Sequence, residues 1–248
     1  MTNVASKLMQ NFAFTAAGVT LAASTIAVAP AEAFQLSLDP NLCSVPSACT
    51  TDDYTGSTGL LDFNFEDSTN GVLLNLTVTN TTSNDIGSTL VGVAFDLPDF
   101  VTAFSYDQQD SEYGQLYEDA SLRPFDGTFD VGIRASANGR RGNRSFAGGN
   151  PRGGLRQGES TTVSFSLDAG DLTADTVSTQ FYNAYVNNQL KAAGRFQQVG
   201  PNGEESDKVL GIVQRITEPP QEVPEPTALL GLGLMGSAFS LSRRKRAK

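Results

Sequence analysis

Histidine and tryptophan are both absent from this 248-residue chain. Without histidine there can be no Ser-His-Asp or Cys-His arrangement and no H-E-x-x-H zinc site, and the usual proton carrier near neutral pH is missing. Without tryptophan the chain lacks the best ring for stacking on a sugar. Cysteine is limited to Cys43 and Cys49, too few thiols for a zinc site when no imidazole can complete the set. Neither G-x-S-x-G nor G-x-x-x-x-G-K occurs, so the sequence holds no serine-hydrolase elbow and no phosphate-cradling loop. Two carboxylates would suffice for a glycosidase, but no motif singles out a pair. The expectation is a protein that is not an enzyme.

Positive charge is also scarce where it would matter. Lys and Arg number 17 against 27 Asp and Glu, a formal net charge of −10, and six of the 17 (Lys7, Arg243, Arg244, Lys245, Arg246 and Lys248) lie at the two ends. The long middle of the chain is therefore strongly acidic. It should repel nucleic acid and anionic lipid and remain soluble outside the cell. No nucleic-acid partner is expected.

The two ends differ from the middle in kind. Residues 1–33 carry the parts of a secretory signal peptide: Lys7 as the positive start, a charge-free apolar run from Phe12 to Ala29, and the small-x-small site Ala31-Glu32-Ala33 before Phe34. The alternative, an N-terminal membrane helix, is disfavoured by Gly18, Pro30 and the many small residues. At the other end, Pro-rich residues 218–222 lead into residues 223–248. There Val223-Pro224-Glu225-Pro226 is held extended by its prolines, and an uncharged stretch from Ala228 to Leu241 follows. At helical rise about 15 residues cover roughly 22 Å, short for a ~30 Å hydrocarbon core. The basic cluster Arg243, Arg244, Lys245 and Arg246 closes the tail and should stay cytoplasmic.

Motif, short weak span and basic end, in that order, resemble the PEP-CTERM sorting signal. A plain C-terminal membrane anchor is the competing reading. The resemblance implies a Gram-negative bacterium and an exosortase, a transpeptidase-like membrane protease that cuts near Val223–Pro226 after export. It implies transient anchoring in the inner membrane, then residence at the cell surface, on the outer-membrane side, or in an extracellular polysaccharide matrix. Val223, Pro224, Glu225 and Pro226 would be the sorting motif and Arg243 to Arg246 the retention signal. Stretches of the body (Asn80 to Pro98, Gly154 to Leu167 and Arg195 to Gly200) are also similar to bodies of exported proteins of this class, and carry over no binding residue.

Residues 34–217 are the size of one domain with a real core. Alternation at period two marks strands over Leu61–Glu66, Val72–Thr79, Thr89–Leu97, Thr128–Ala135 and Thr161–Leu167, with shorter ones at Phe100–Phe104, Gly194–Val199 and Lys208–Ile216. Asn70-Gly71 is a hairpin signal, Pro201-Asn202-Gly203 a turn, and Ser178–Leu190 a short helix. Eight or so strands with one short helix predict an all-β fold, an antiparallel β-sandwich of jelly-roll or immunoglobulin-like type, flanked by a signal peptide and a short C-terminal transmembrane helix. In an exported chain the simplest state of Cys43 and Cys49 is one disulfide closing a small loop; the alternative is two free thiols.

Two loops carry the remaining chemistry. Ala135–Gly158 is glycine-rich, holds Arg140, Arg141, Arg144, Arg152 and Arg156, and reads as a solvated loop or as a basic arm for an acidic partner. Asp107–Asp119 gathers Asp107, Asp110, Glu112 and Asp119, with Tyr106, Tyr113 and Tyr117 among them. Such oxygen ligands suit calcium and such rings suit a glycan, although the EF-hand spacing is missing. No other cofactor is expected. The leading expectation is a non-enzymatic surface or matrix protein associated with exopolysaccharide; the alternative is a calcium- or glycan-binding β-sandwich module.

Overall fold

Alternation becomes burial along the two longest strands. In β2 (Gly59–Ser68) the side chains of Leu61, Phe63 and Phe65 point into the core while Asp62 and Asn64 stay half-exposed. In β3 (Gly71–Asn80) the pattern repeats with Val72, Leu74, Leu76 and Val78 inside. The computed structural model describes residues 33–51, 53–107, 112–135, 146 and 151–214. Its other strands are β1 (Phe34–Leu38), β4 (Thr89–Phe95), β5 (Ala103–Asp107), β6 (Gln115–Ala120), β7 (Phe129–Arg134), β8 (Leu155–Arg156), β9 (Ser160–Asp168), β10 (Ala192–Gln197) and β11 (Lys208–Gln214), with one α-helix, α1 (Ala174–Val186).

Every strand pairing is antiparallel, and the hydrogen-bonded path runs β5-β9-β3-β2-β1-β11-β10-β4-β7-β6, with β8 on β4. Chain length forces this sheet to curl. Nine steps of about 4.8 Å would hold β5 and β6 roughly 43 Å apart in a flat sheet, whereas the eight residues from Asp107 to Gln115 reach at most about 28 Å. The sheet therefore wraps into a near-barrel, the direction in which strand twist already bends it. Phe95 on β4 marks the meeting of the two sides: its ring lies edge-on to Phe63 of β2 at 5.7 Å and to Phe165 of β9 at 5.5 Å. At the seam, the Tyr106 hydroxyl donates to the Tyr113 carbonyl, and the Tyr113 hydroxyl donates to the Leu90 carbonyl on β4 at 2.9 Å. The fold is thus mostly antiparallel sheet, and its pairing path is continuous.

Several local expectations shift. Strands β1 and β6 were not anticipated, although F-Q-L-S-L alternates, and β6 takes the last five residues of what reads as an acidic loop. The strand expected at Phe100–Phe104 begins at Ala103, because Val101 first closes a turn onto the Pro98 carbonyl. The hairpin turn is Thr69–Asn70, one residue early. Ser68 pairs with Gly71, where glycine is required twice over: its φ is +130°, and a Cβ there would strike the Leu167 carbonyl at 2.3 Å. The helix begins four residues before Ser178. Thr173 caps it through its hydroxyl, and Asp67 of β2 accepts from the Ala174 N–H at 2.7 Å, a tertiary cap invisible in local sequence. Its buried face, Val177, Phe181 and Tyr185, packs on Phe34, Phe63 and Phe65.

Within the glycine-rich loop, residues 136–145 and 147–150, with Arg140, Arg141 and Arg144, lie outside the described residues, while some of the described ones are buried. Phe146 is buried at 3% exposure on the outer face of the sheet, with Ala94, Ala120, Leu122, Phe125, Phe129 and Ala193. Gly92 and Gly132 make its seat, since a Cβ on Gly132 would meet the Phe146 ring at 2.8 Å. Farther along, Leu155 reaches the main core. Among the described residues no helix is long and apolar enough to cross a membrane; the expected span from Ala228 to Leu241 lies outside them, as does the expected signal peptide up to residue 32.

Candidate functional site

Ala33 is exposed immediately before β1, and Phe34 is buried, its ring stacked 4.9 Å from Phe63. Phe34, which follows the expected cleavage site, is thus the first residue of β1. Ala31, the sorting residues Val223, Pro224, Glu225 and Pro226, and the basic residues Arg243, Arg244, Lys245 and Arg246 lie outside the described residues. Cys43 and Cys49 are joined in a disulfide with Cα atoms 6.5 Å apart. The bridged loop extends the sheet where β1 stops: the Leu210 N–H donates to the Cys49 carbonyl at 2.9 Å, and Thr50 bridges to Val209.

The proposed calcium ligands are spread along two strands. Asp107 ends β5, Asp110 lies outside the described residues, Glu112 is exposed before β6, and Asp119 sits near the far end of β6 with a positive φ of 54°. Four residues of strand from Gln115 to Asp119 cover roughly 13 Å. Among the described residues no three carboxylates converge as metal ligands. Asp119 instead joins Asp99, Glu118 and Asp130 around a shallow groove of about 470 Å³ beside the Leu97–Phe104 turn. Glu118 and Ala120 pair with Val131 and Phe129, so Asp119 stands across from Asp130.

The tyrosines of that segment differ in burial: Tyr113 lies in the core, while Tyr106 and Tyr117 are half-buried. Tyr113 is fully buried, and burial raises its hydroxyl pKa well above the ordinary value. Tyr106 lies 4.8 Å from Phe165, and Tyr117 packs edge-on to Phe146 with the Arg134 guanidinium 4.9 Å above its ring. A buried ring serves as core, and the expected glycan platform is not assembled from Tyr113.

Sequence reading missed a carboxylate beside the groove. Asp96, just after β4, accepts from the Lys191 N–H at 2.8 Å, while Asp130 accepts from the Leu97 N–H at 2.7 Å. Burial first, with the Asp130 charge adding to it, pushes the Asp96 carboxyl up to about 6, against the lowering effect of the Lys191 N–H and charge. The Tyr185 hydroxyl donates to the Asp96 carbonyl at 3.1 Å and ties helix α1 to this corner. Asp207 was missed too: fully buried, it accepts from the Thr55 N–H, the Thr55 hydroxyl and the Ser57 N–H at 3.0, 2.8 and 2.9 Å. It fixes the segment before β2. Neither aspartate stands in a sequence motif, because their partners are 95 and about 150 residues away.

Residues 222–246 match the family model of the PEP-CTERM protein-sorting motif. No curated protein and no solved structure matches the chain. The matched stretch is the tail, so the similarity speaks to sorting and leaves the body to be read from its own geometry. A signal of this kind marks an exported protein sorted to the cell surface by an exosortase, a membrane protease.

Proposed function

We propose that this chain is a non-enzymatic surface or extracellular-matrix protein, exported on its N-terminal signal, held briefly in the inner membrane by Ala228–Leu241, and cut by exosortase near Val223–Pro226. The observation that carries the reading is the PEP-CTERM match over residues 222–246. Physical chemistry supports it: Gly231, Gly233, Gly236, Ser237 and Ser240 weaken a span already short, and the basic end is a strong stop for so weak a segment. The lack of histidine and of any nucleophile motif supports the non-enzymatic part. We read the curled sheet as a β-sandwich of jelly-roll type whose two layers run into each other through β11. Its acidic surface suits a hydrated polysaccharide matrix, where exopolysaccharide would be its surroundings and partner.

The test is the C-terminus of the mature chain recovered from the surface fraction. A terminus near Val223 is expected, with Pro224→Ala/Pro226→Ala leaving an uncut precursor in the inner membrane. Recovery of surface peptides reaching Ser242 would overturn sorting in favour of a permanent anchor. Co-fractionation of the mature chain with matrix polysaccharide tests the partner separately.

A further inference from the structure

The outer face of the sheet carries a row of residues that local rules of sheet stability disfavour. Across β6, β7, β4, β10 and β11 the register places Gln115, Arg134, Gly92, Arg195 and Lys208 in line. Arg195 and Lys208 are directly opposite on neighbouring strands, and like charges in that relation destabilise a sheet. Arg134 is accounted for: its guanidinium donates to the Gln115 Oε1 at 2.7 and 3.2 Å and lies over Tyr117. Arg195 is not. Its Nε and Nη1 are buried from solvent and have no hydrogen-bond partner. Buried guanidinium N–H groups without an acceptor are costly, and native folds seldom leave them so.

Three further observations point the same way. Gln197, two residues along the same face, has a buried Oε1 with no partner; turned about its last torsion, that amide offers two N–H donors in the same place. The pairing of β10 with β4 is irregular beside Arg195: Arg195 faces Gly92 and Phe196 faces Leu90, so Val91 of β4 is the extra residue and the ladder is disrupted there. The chain that continues from Arg134 holds no acidic residue from 135 to 158, so it brings no carboxylate to Arg195. Burial lowers the pKa of both Arg195 and Lys208, each further lowered by a neighbouring arginine, and Asp53 offsets part of this at Lys208. In a chain of net charge −10 such a concentration of positive charge is out of character.

We infer that Arg195 and Lys208, with the Gln197 amide beside them, form a seat for an oxyanion group: phosphate, sulfate or the carboxylate of an acidic sugar. The Arg195 fork supplies Nε–H and Nη1–H, the pair that grips two oxygens of such a group, and Lys208 neutralises it from the adjacent strand. This site belongs to the body and stands or falls independently of the sorting signal.

The experiment uses the full-length chain in detergent, with inorganic sulfate, inorganic phosphate and a short oligouronate as probes. At on the order of 10 mM sulfate the thermal midpoint should rise by several degrees above a chloride control of equal ionic strength. Calorimetric affinity for the best probe should fall about tenfold or more in Arg195→Gln and in Lys208→Gln, as expected for loss of one charge-assisted contact. Without added anion, Arg195→Gln should be at least as stable as the parent, since it removes an uncompensated buried charge. A sulfate shift of equal size in both variants would reveal a general salt effect and overturn the proposal. So would the absence of binding heat for all three probes, or an Arg195→Gln chain that is destabilised or unfolded in anion-free buffer, because the fold would then be using that guanidinium itself. Tighter binding of oligouronate than of the inorganic ions would assign the seat to a matrix polymer; the reverse order would assign it to a small free ion.

Discussion

The two sides of the curled sheet solve the problem of their outer faces differently. On the side formed by β5, β9, β3, β2 and β1, the outward residues are mostly polar, as in the Thr77–Thr162 hydroxyl pair at 2.8 Å, and β3 alternates cleanly between buried and half-exposed. On the side formed by β10, β4, β7 and β6, an apolar patch of alanines and phenylalanines is roofed by Phe146, and all seven residues of β4 are buried. A bare face makes a strand legible by period two, whereas a covered face turns the strand into a continuous apolar run. The covered side also holds the features that ordinary sheet rules disfavour: two strand glycines under a ring, opposed cations, and carboxylates facing each other around a groove.

The comparison breaks most visibly if the shared core fails. Phe95→Ala removes the ring that touches both Phe63 and Phe165, and should cost about 4 kcal/mol, a large part of a typical domain's stability. Chemical denaturation reads this as a fall in midpoint with unchanged slope, and a loss under about 1 kcal/mol would mean the two sides do not share a core.

Phe146→Ala sharpens the contrast between faces. The substitution should cost about 2–3 kcal/mol, because one ring covers Gly92, Gly132 and the small apolar patch. Thr77→Ala, at a half-exposed position on the bare face, should stay within about 0.5 kcal/mol. Equal effects at the two positions would show that the Phe146 roof adds nothing.

The smallest effect depends on pH. Asp96 holds its proton up to about 6 in the folded chain, against 3.8 ordinarily, so its contribution to stability is fully present below the lower value and is lost as pH rises through the higher one. Asp96→Asn keeps an acceptor for the Lys191 N–H and removes the charge that Asp130 repels. The thermal midpoint of Asp96→Asn should therefore exceed that of the parent at pH 7.5, with the gap closing as the pH is lowered towards 4. A gap that stays constant across this range would show that the Asp96 charge is not buried.

The sequence alone determined what rests on local pattern. The sorting tail could be read because its signal is linear: proline-fixed motif, uncharged stretch and basic end are recognised in that order without any folding. Strands β2, β3 and β9 were legible because each buries one face, so Leu61, Phe63, Phe65, Leu74, Leu76, Val163 and Phe165 fall at every second position. Tertiary structure alone decided the rest. The helix start depended on Asp67, 107 residues away, and the fate of Tyr113 on the Leu90 carbonyl. The carboxylates around the groove came together because β6 pairs with β7, which sets Glu118 beside Asp130, and the turn after β4 adds Asp99, while Asp107 and Asp119 were separated by the strand running between them. Arg195 and Lys208 are 13 residues apart in the chain and carry no motif; only antiparallel register sets them face to face, because cross-strand neighbours are chosen by the pairing of whole strands and leave no trace at either residue.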